Sequence, residues 1–418
     1  MAQVTVIYGS EIKTVQADEG EILGDVVSRT GLPLEQPCAS SCTTRFGESR
    51  RGRPRFSMTA LGSWVRARSI RRCRDQVAMN TVIATGIGSL PGTDADEATR
   101  VVAGELPDLP HVVELPSRGP GSDMVGRTMA MLAELAPDLA VETTPVGWRF
   151  SDAPGRVMRR ATSWWAEDLD AAEQHFAGAP RVKAQICGPW TLAAAVEMRN
   201  GERAVRDHGA CRELAVALAD AAESYIRDIR RRIPMAQIVL QVDEPSLPTV
   251  LAGGVSTASG IATYRAVDPQ TAEGHLAVVV EGIQRADALP WVHCCAREVP
   301  IGLMRRAGFT GLVTPMPTGA TEEDLGRALD EGETVILGVV DPRRTIDARR
   351  DGSRAATRVV DQLDRWGFSV EAIAENVVLS PECGLAGTDQ RQVRETYRAV
   401  SEAARHLRDD ADNENQEP

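Results

Sequence analysis

The chain has 418 residues, of which 43% are apolar and 25% charged, and its formal net charge is −12. This composition is ordinary for a globular protein, and the acidic balance excludes a generally basic nucleic-acid binder. No apolar run reaches the roughly 18 residues of a transmembrane helix, and the N-terminus lacks a signal-peptide pattern. We therefore expect a cytoplasmic small-molecule enzyme with reduced thiols and no membrane or nucleic-acid partner.

The first 44 residues predict a small separate unit. Val4–Tyr8 and Lys13–Gln16 predict a strand pair, and Ile22–Thr30 predicts a helix. The stretch TVQADEGEILGDVVSRTGLPLEQPC resembles the first half of a plant-type 2Fe-2S ferredoxin. After Cys38 and Cys42, however, the next cysteine is Cys73, which does not match the ligand spacing of that family. We expect a degenerate segment without a cluster, either a truncated remnant or sequence upstream of a true start at Met79.

Residues 45–80 are rich in arginine. Between Arg45 and Arg74 there are ten arginines and one acid, Glu48, so this window carries +9 and the rest of the chain −21. Such a segment is typical of a poorly ordered linker, with a basic arm for a polyanion as the alternative.

From Thr81 onward, strands alternate with helices. The predicted strands are Val82–Thr85, Val112–Leu115, Val182–Ile186, Ile238–Val242, Trp291–Cys294, Gly311–Thr314, Val335–Val339 and Val377–Leu379. The predicted helices include Asp123–Leu135, Leu192–Arg199, Leu214–Arg231, Thr271–Ala286, Glu322–Asp330, Arg354–Trp366 and Arg391–Leu407. This alternation predicts an α/β fold, a (β/α)8 TIM barrel over residues 81–408 with a short N-terminal extension; a doubly wound open sheet is the alternative. Residues 409–418 predict a disordered acidic tail.

Residues with metal-binding side chains stand at predicted strand ends, where the active site of such a barrel lies. His293 and Cys295 are two positions apart, so their side chains point to the same side of the strand. Cys383 follows the last strand. Imidazole and thiolate are zinc ligands, and three of them with an open position would make a catalytic site. The alternative is three unrelated buried residues.

Other candidate residues share this location. Asp243 and Glu244 form an acidic pair that could hold a ligand ammonium or simply begin a loop. Ser89 lies in a glycine-rich turn that can present N–H groups to an anion. Arg118 could pair with a carboxylate or phosphate, or be solvated. Trp190 and Asp341 end the third and seventh predicted strands.

Six motifs, in order, resemble the catalytic C-terminal barrel of cobalamin-independent methionine synthase, from about Val82 to Arg405. They are GIGSLP (86–91), SDMVGR (122–127), GPWTL (188–192), QVDEPSL (241–247), HCC (293–295) and SPECGLAG (380–387). The resemblance implies a Zn²⁺ cofactor and transfer of a methyl group to the thiolate of homocysteine, which gives methionine.

The resemblance also implies roles for individual residues. His293, Cys295 and Cys383 would hold the zinc. The resemblance implies that Ser89 contacts the substrate carboxylate and Asp243 the ammonium. From their places at the strand ends we also expect substrate contacts from Arg118 and Trp190, and we expect Asp243 and Asp341 to be catalytic.

The chain departs from the family at three places, and the third of them leaves the methyl donor open. No acid stands at Val313–Met316, where the family has a fourth zinc ligand, and Arg118 occupies the loop that carries a glutamate in the family. Asp341 is followed by Pro342, where the family has a proton-donating histidine. The donor is therefore 5-methyltetrahydrofolate or a methylated corrinoid protein. The alternatives are a non-catalytic zinc- or homocysteine-binding protein and an enzyme like uroporphyrinogen decarboxylase.

Overall fold

The computed structural model describes residues 2–8, 11–17, 81–296 and 298–414. The chain divides into two compact units, Met1–Met79 and Asn80–Pro418. In the first unit, β1 (Ala2–Tyr8) pairs antiparallel with β2 (Glu11–Ala17), which confirms the predicted strand pair. The predicted helix Ile22–Thr30, the cysteines Cys38, Cys42 and Cys73 and the arginine-rich linker lie outside the described residues.

The second unit is built around a parallel sheet of seven strands, in the order β3-β12-β11-β10-β9-β8-β6. These strands are β3 (Ile83–Ala84), β6 (Arg181–Cys187), β8 (Gln237–Asp243), β9 (Leu289–His293), β10 (Gly311–Pro315), β11 (Thr334–Val340) and β12 (Val377–Pro381). A parallel sheet covered by helices is buried on both faces, which explains the apolar runs that predicted these strands. The prediction of an α/β fold is confirmed, and seven of the eight predicted strands are observed.

The eighth predicted strand, Val112–Leu115, forms isolated bridges instead of a regular strand. His111 bridges to Lys183 on β6, and Glu114 bridges to Ser89, which follows β3. The segment 110–114 thus makes backbone hydrogen bonds to both edges of the sheet, with N···O distances of 2.8–3.1 Å. The sheet is therefore a curled sheet of seven strands, and the predicted closed barrel of eight strands is not confirmed.

Helices alternate with the strands and begin at recognisable caps. They are α1 (Ala95–Glu105), α2 (Met124–Leu135), α3 (Arg156–His175), α4 (Pro189–Ala195), α5 (His208–Arg232), α6 (Leu247–Leu251), α7 (Pro269–Arg285), α8 (Ile301–Arg306), α9 (Ala320–Asp330), α10 (Ala348–Trp366), α11 (Val370–Ile373) and α12 (Gln390–Glu414). Six of them start after an aspartate whose side chain accepts from a first-turn N–H: Asp94, Asp123, Asp207, Asp268, Asp347 and Asp389. Each such cap satisfies a backbone donor that the helix leaves unpaired.

Sequence patterns missed two features of this unit. A small sheet is formed by β4 (Val141–Thr144), β5 (Gly147–Phe150) and β7 (Val196–Glu197), in the order β4-β5-β7. Helix α3 was also absent from the prediction, although its buried Met158, Ala161, Leu169 and Ala172 recur at helical spacing between arginines and tryptophans.

The C-terminal boundary also differs from the prediction. Helix α12 continues to Glu414, so residues 409–414 of the predicted disordered tail are helical. Among the described helices none is long and apolar enough to cross a membrane.

Polar side chains occupy one face of the central strands. On β6, Lys183 and Gln185 alternate with Val182, Ala184 and Ile186, all buried. The register pairs Gln185 with Gln241 of β8 and Cys187 with Asp243. Since side chains alternate along a strand, these polar residues share the same face. The apolar side chains of the opposite face pack in the main hydrophobic core.

Candidate active site

Two adjacent strand ends bring Asp243 and His293 together. Asp243 ends β8 and His293 ends β9, and the parallel register makes them direct partners. The His293 Nδ1 atom lies 2.8 Å from Asp243 Oδ1. Their side chains are only 6% and 8% exposed, respectively. A carboxylate at this nitrogen favours the tautomer with a proton on Nδ1, which leaves the Nε2 lone pair free for a ligand.

The Nε2 atom of His293 has no protein partner. It is buried and makes no hydrogen bond within the described part of the chain. Cys295 and Cys383 lie nearby, and both are free thiols that hydrogen-bond to each other. The hydrogen bond from Cys295, with help from His293, lowers the pKa of Cys383 to about 6. The same hydrogen bond and burial raise the pKa of Cys295.

The three expected zinc ligands are thus neighbours, but they do not form a ready-made metal site. Among residues 81–296 and 298–414, no group of three or more His, Cys, Asp or Glu side chains is arranged to hold an ion. The donor chemistry nevertheless fits zinc, because one buried imidazole nitrogen lacks a partner and two sulfurs are in contact.

Ser89 lies beside the loop that carries Cys383. Its carbonyl oxygen accepts a 2.8 Å hydrogen bond from the N–H of Leu385, which ties the glycine-rich turn after β3 to the turn after β12. Ser89 is half-buried. The structure therefore places Ser89 against the turn that carries Cys383.

Glu114 belongs to the same polar cluster and was missed by sequence reasoning. The side chain is 4% exposed, and its Oε1 atom has no hydrogen-bond partner among the described residues. Burial raises the pKa of Glu114 to about 7, against the opposing effect of Arg127, and the nearby Asp243 raises it further. The available signal was an acid inside the otherwise apolar run Val112–Leu115.

Arg118 lies in a different environment from the one expected of a substrate contact. Its guanidinium is buried, with Nη1 2.8 Å from Asp168 Oδ1 and Nε donating to the Thr93 carbonyl at 2.8 Å. Asp168 also binds Arg127 at 2.8 Å. Because Arg118 is held in this ion-pair network, its position fits a structural role, and we leave it out of the substrate site proposed below.

Trp190 is part of the core. It is 1% exposed, its indole Nε1 donates to the Ala272 carbonyl at 3.0 Å, and its ring stacks on His275 at a centroid distance of 5.0 Å. Glu244 accepts hydrogen bonds from the backbone N–H groups of Trp190 and Thr191, so the second acid of the predicted pair caps helix α4. We leave Trp190 out of the proposed substrate site as well.

Asp341 borders a cavity that opens beside the two cysteines. The cavity has a volume of about 620 Å³, and its lining includes Cys295, Met316, Asp341 and Cys383. Arg343 donates to Asp341 with an Nε···Oδ1 distance of 2.8 Å, and this hydrogen bond lowers the pKa of Asp341. The carboxylate is therefore ionised at neutral pH.

Comparison with known proteins identifies the family. A model of the family "Cobalamin-independent synthase, Catalytic domain" matches residues 56–406. The chain belongs to this family. Membership in the cobalamin-independent synthase family makes the chain a methionine-synthase-like enzyme and supports methyl transfer to homocysteine. No curated protein sequence matches the chain.

Solved structures agree with the family at the level of the fold. A B12-independent methionine synthase from Shewanella sp. W3-18-1, in complex with selenomethionine, is 12% identical with a TM-score of 0.51; the match covers 79% of this chain and 98% of that one. An oxaloacetate acetylhydrolase in complex with oxalate is 12% identical over 82% and 97% of the two chains, but its TM-score of 0.34 is too low to carry an argument.

Proposed function

We propose that this protein is a zinc-dependent homocysteine S-methyltransferase that produces methionine. The observation that carries the proposal is the buried Nε2 of His293, which lacks a partner and lies two residues before Cys295, whose thiol hydrogen-bonds to Cys383. These residues stand at strand ends of a cobalamin-independent synthase domain. A zinc ion held by these three residues would keep the homocysteine sulfur as a thiolate at neutral pH, where a free thiol is mostly protonated. We also propose that the segment 110–114 closes the curled sheet into a barrel around this site.

The amino-acid part of the substrate would be held by the polar cluster next to the cysteines. Asp243 uses Oδ1 for both of its side-chain hydrogen bonds, to Gln241 and His293, so Oδ2 is available to a substrate ammonium. Glu114 offers a second buried carboxylate oxygen without a partner. Ser89, which is hydrogen-bonded to the cysteine loop through Leu385, would bind the substrate carboxylate. Two carboxylates at the ammonium and a hydroxyl at the carboxylate fix the orientation of the sulfur.

The methyl donor would enter through the 620 Å³ cavity beside Cys295 and Cys383. In the reaction, the homocysteine sulfur forms a bond to the methyl carbon while the bond from that carbon to the donor breaks. A folate nitrogen leaves only if it is protonated, which requires a general acid. Asp341, held ionised by Arg343, is not an acid at neutral pH. We therefore favour a methylated corrinoid, whose methyl group leaves without protonation, over methyltetrahydrofolate.

Metal content tests the first part of this proposal. The protein is purified in the presence of Zn²⁺, and zinc is measured by elemental analysis in the wild type and in Cys383→Ser, Cys295→Ser and His293→Gln variants. Cys211→Ser is the matched control, because Cys211 is a buried free thiol in the first turn of α5 and is not one of the three proposed ligands. We expect about one zinc per wild-type and control chain and little in the other variants. A wild type without zinc would refute the metal site.

A donor assay tests the reaction itself. The zinc-loaded protein is supplied with homocysteine and either methylcobalamin or 5-methyltetrahydrofolate, and methionine is quantified. We expect methionine from methylcobalamin and little from the folate. Formation from the folate alone would reverse our choice of donor. If neither donor yields methionine while zinc and homocysteine bind, the protein is a binding protein and the proposed reaction is wrong.

A further inference from the structure

Lys183 is an unusual residue for this chain. Only two of the 47 basic residues are lysines, Lys13 and Lys183. Lys183 lies on β6 in the polar face of the sheet, with 0% of its surface exposed. A buried ammonium is costly unless hydrogen bonds and opposite charges compensate it. The roles proposed above for the active site make no use of this residue.

The contacts of the Lys183 ammonium explain how its charge is accommodated. Its Nζ atom donates to the Ile87 carbonyl at 2.8 Å and to Gln241 Oε1 at 2.9 Å. The carboxylates of Asp243 and Glu114 are close enough to stabilise the charged form. A lysine supplies a compact point charge on a flexible stem, whereas the planar guanidinium of arginine needs more room and more acceptors.

The contact with Gln241 determines the orientation of the Gln241 side chain. Because Oε1 accepts from the ammonium, the amide nitrogen is the Gln241 atom that donates to Asp243 Oδ1, at 2.7 Å. The same nitrogen donates at 3.1 Å to the Ile87 carbonyl, which also accepts from Lys183. Asp243 Oδ1 in turn accepts from His293 Nδ1. One buried chain of hydrogen bonds therefore runs from Lys183 through Gln241 and Asp243 to the imidazole.

We propose that Lys183 is a positioning residue that acts through Gln241 on Asp243 and His293. It contacts neither the cysteine pair nor the cavity. By holding Gln241, it keeps Asp243 with Oδ1 toward His293 and Oδ2 toward the substrate, and it keeps the His293 ring with Nε2 toward the cysteines. This inference rests on the proposed function only for the identity of the metal and the substrate; the hydrogen-bond chain exists without them.

The first test is spectroscopic and needs no metal. The chain has six histidines, so ¹⁵N-histidine labelling of the metal-free protein gives few resonances, and a His293→Gln variant assigns those of His293. We expect a single tautomer with Nδ1 protonated in the wild type, and a mixture of tautomers in Lys183→Met and in Gln241→Met. Lys13→Met removes the only other lysine and is the matched control, expected to match the wild type.

The second test measures coupling with the metal alone as the probe. Zn²⁺ affinity is determined by competition with a chelating dye for the two single variants and the double variant. We expect each single variant to bind about tenfold more weakly, as for other residues that support a metal ligand. If Lys183 acts through Gln241, the double variant should bind within about twofold of Gln241→Met, because the two changes break the same chain.

Specific outcomes would overturn the inference. A folded Lys183→Met protein with the wild-type tautomer and Zn²⁺ affinity excludes a positioning role, and fully additive losses exclude a route through Gln241. If Lys183→Met does not fold, the contact is tested from the other side, by ¹⁵N-lysine labelling of the wild type and of Gln241→Met. A Lys183 Nζ resonance that is the same in both proteins would contradict the contact with Gln241. A wild type that binds no zinc refutes the proposed function instead, while the tautomer measurement still decides this inference.

Discussion

The Ser89 hydroxyl lies in close contact with Gly384 at the edge of the candidate active site. A Cβ atom added to Gly384 would lie 2.1 Å from the Ser89 Oγ atom. This distance is far below any contact that real Cβ atoms make, so only glycine leaves the serine hydroxyl in place. The contact links the turn after β3, which carries the expected carboxylate ligand, to the residue that follows Cys383.

The first prediction follows from this contact. Gly384→Ala should displace the Ser89 hydroxyl and raise the KM for homocysteine about tenfold, the equivalent of one lost hydrogen bond of about 1.4 kcal/mol. Gly387→Ala is the matched control, since its added Cβ would meet nothing within 4 Å. Steady-state kinetics of both variants provide the measurement. Equal KM values for both would show that Ser89 does not bind the substrate.

The second prediction concerns the carboxylate behind His293. Asp243→Asn keeps the size of the side chain but removes the charge that supports a proton on His293 Nδ1. We expect a 10- to 100-fold loss of Zn²⁺ affinity, measured by competition titration. Asp341→Asn is the control, because Asp341 pairs with Arg343 and contacts no proposed metal ligand, so this variant should keep the wild-type affinity for Zn²⁺. An Asp243→Asn protein with unchanged affinity would separate Asp243 from the metal site.

The third prediction is a pH dependence of stability caused by Glu114. Its pKa in the folded protein is about 7, against the ordinary glutamate value of 4.5 in the unfolded chain. Between these two pH values, the folded state keeps a proton that the unfolded chain releases. The free energy of unfolding therefore falls as pH rises from about 4.5 to 7, by about 3 kcal/mol in total.

Glu114→Gln should remove this contribution. Relative to the wild type, the variant should gain stability as pH rises through that window, with the largest gain above pH 7, while it loses affinity for homocysteine. Urea denaturation at pH 5 and pH 8 measures the difference. Glu244, whose pKa is also raised to about 7, is present in both proteins, so its effect cancels. A difference that does not change with pH would contradict the assignment.

The fourth prediction tests the structural role of Arg118. Arg118→Met leaves Asp168 with one of its two arginine partners and should cost about 3–5 kcal/mol of stability, as expected when one member of a buried ion pair is removed. Arg227→Met, which breaks an exposed pair with Glu223, should cost less than about 1 kcal/mol. An Arg118→Met protein of normal stability with a raised KM for homocysteine would restore the substrate role.

The fifth prediction concerns the N-terminal unit. Because Met1–Met79 forms a compact unit separate from Asn80–Pro418, deletion of residues 1–78 should leave the second unit folded and able to bind Zn²⁺. Circular dichroism and metal titration of the shortened chain check this. Aggregation of the shortened chain, or loss of zinc binding, would show that the first unit is needed.

Sequence patterns predicted the strands well and the irregular parts poorly. Buried parallel strands such as β6, β8 and β11 are short apolar runs bounded by turns, and this pattern is local. The segment 110–114 looks like such a run but only bridges two edges, and whether a run forms a regular strand depends on neighbours that periodicity does not reveal. Helix α3 does carry a stripe of buried residues, but the stripe is mostly small alanines set among charged residues, which makes a weak signal.

The residues of the candidate site were likewise predictable only in part. The motifs indicated that Asp243, His293, Cys295 and Cys383 stand at strand ends, and the register then made the first two hydrogen-bonded partners. The sequence offered Arg118 and Trp190 as substrate contacts, and only the structure revealed that the first lies in an ion-pair network and the second in the core. Glu114 was overlooked because it lies inside an apolar run.

The sequence by itself determined the class of the protein: an acidic α/β chain whose ordered strand-end motifs belong to the cobalamin-independent synthase family. Only the tertiary structure decided which polar residues act together. Lys183 is far along the chain from Gln241 and Asp243. The three form one hydrogen-bond chain because parallel pairing of β6, β8 and β9 places their side chains on one buried face. In that face each polar atom needs a partner, so the packing of the strands determines which partner it finds.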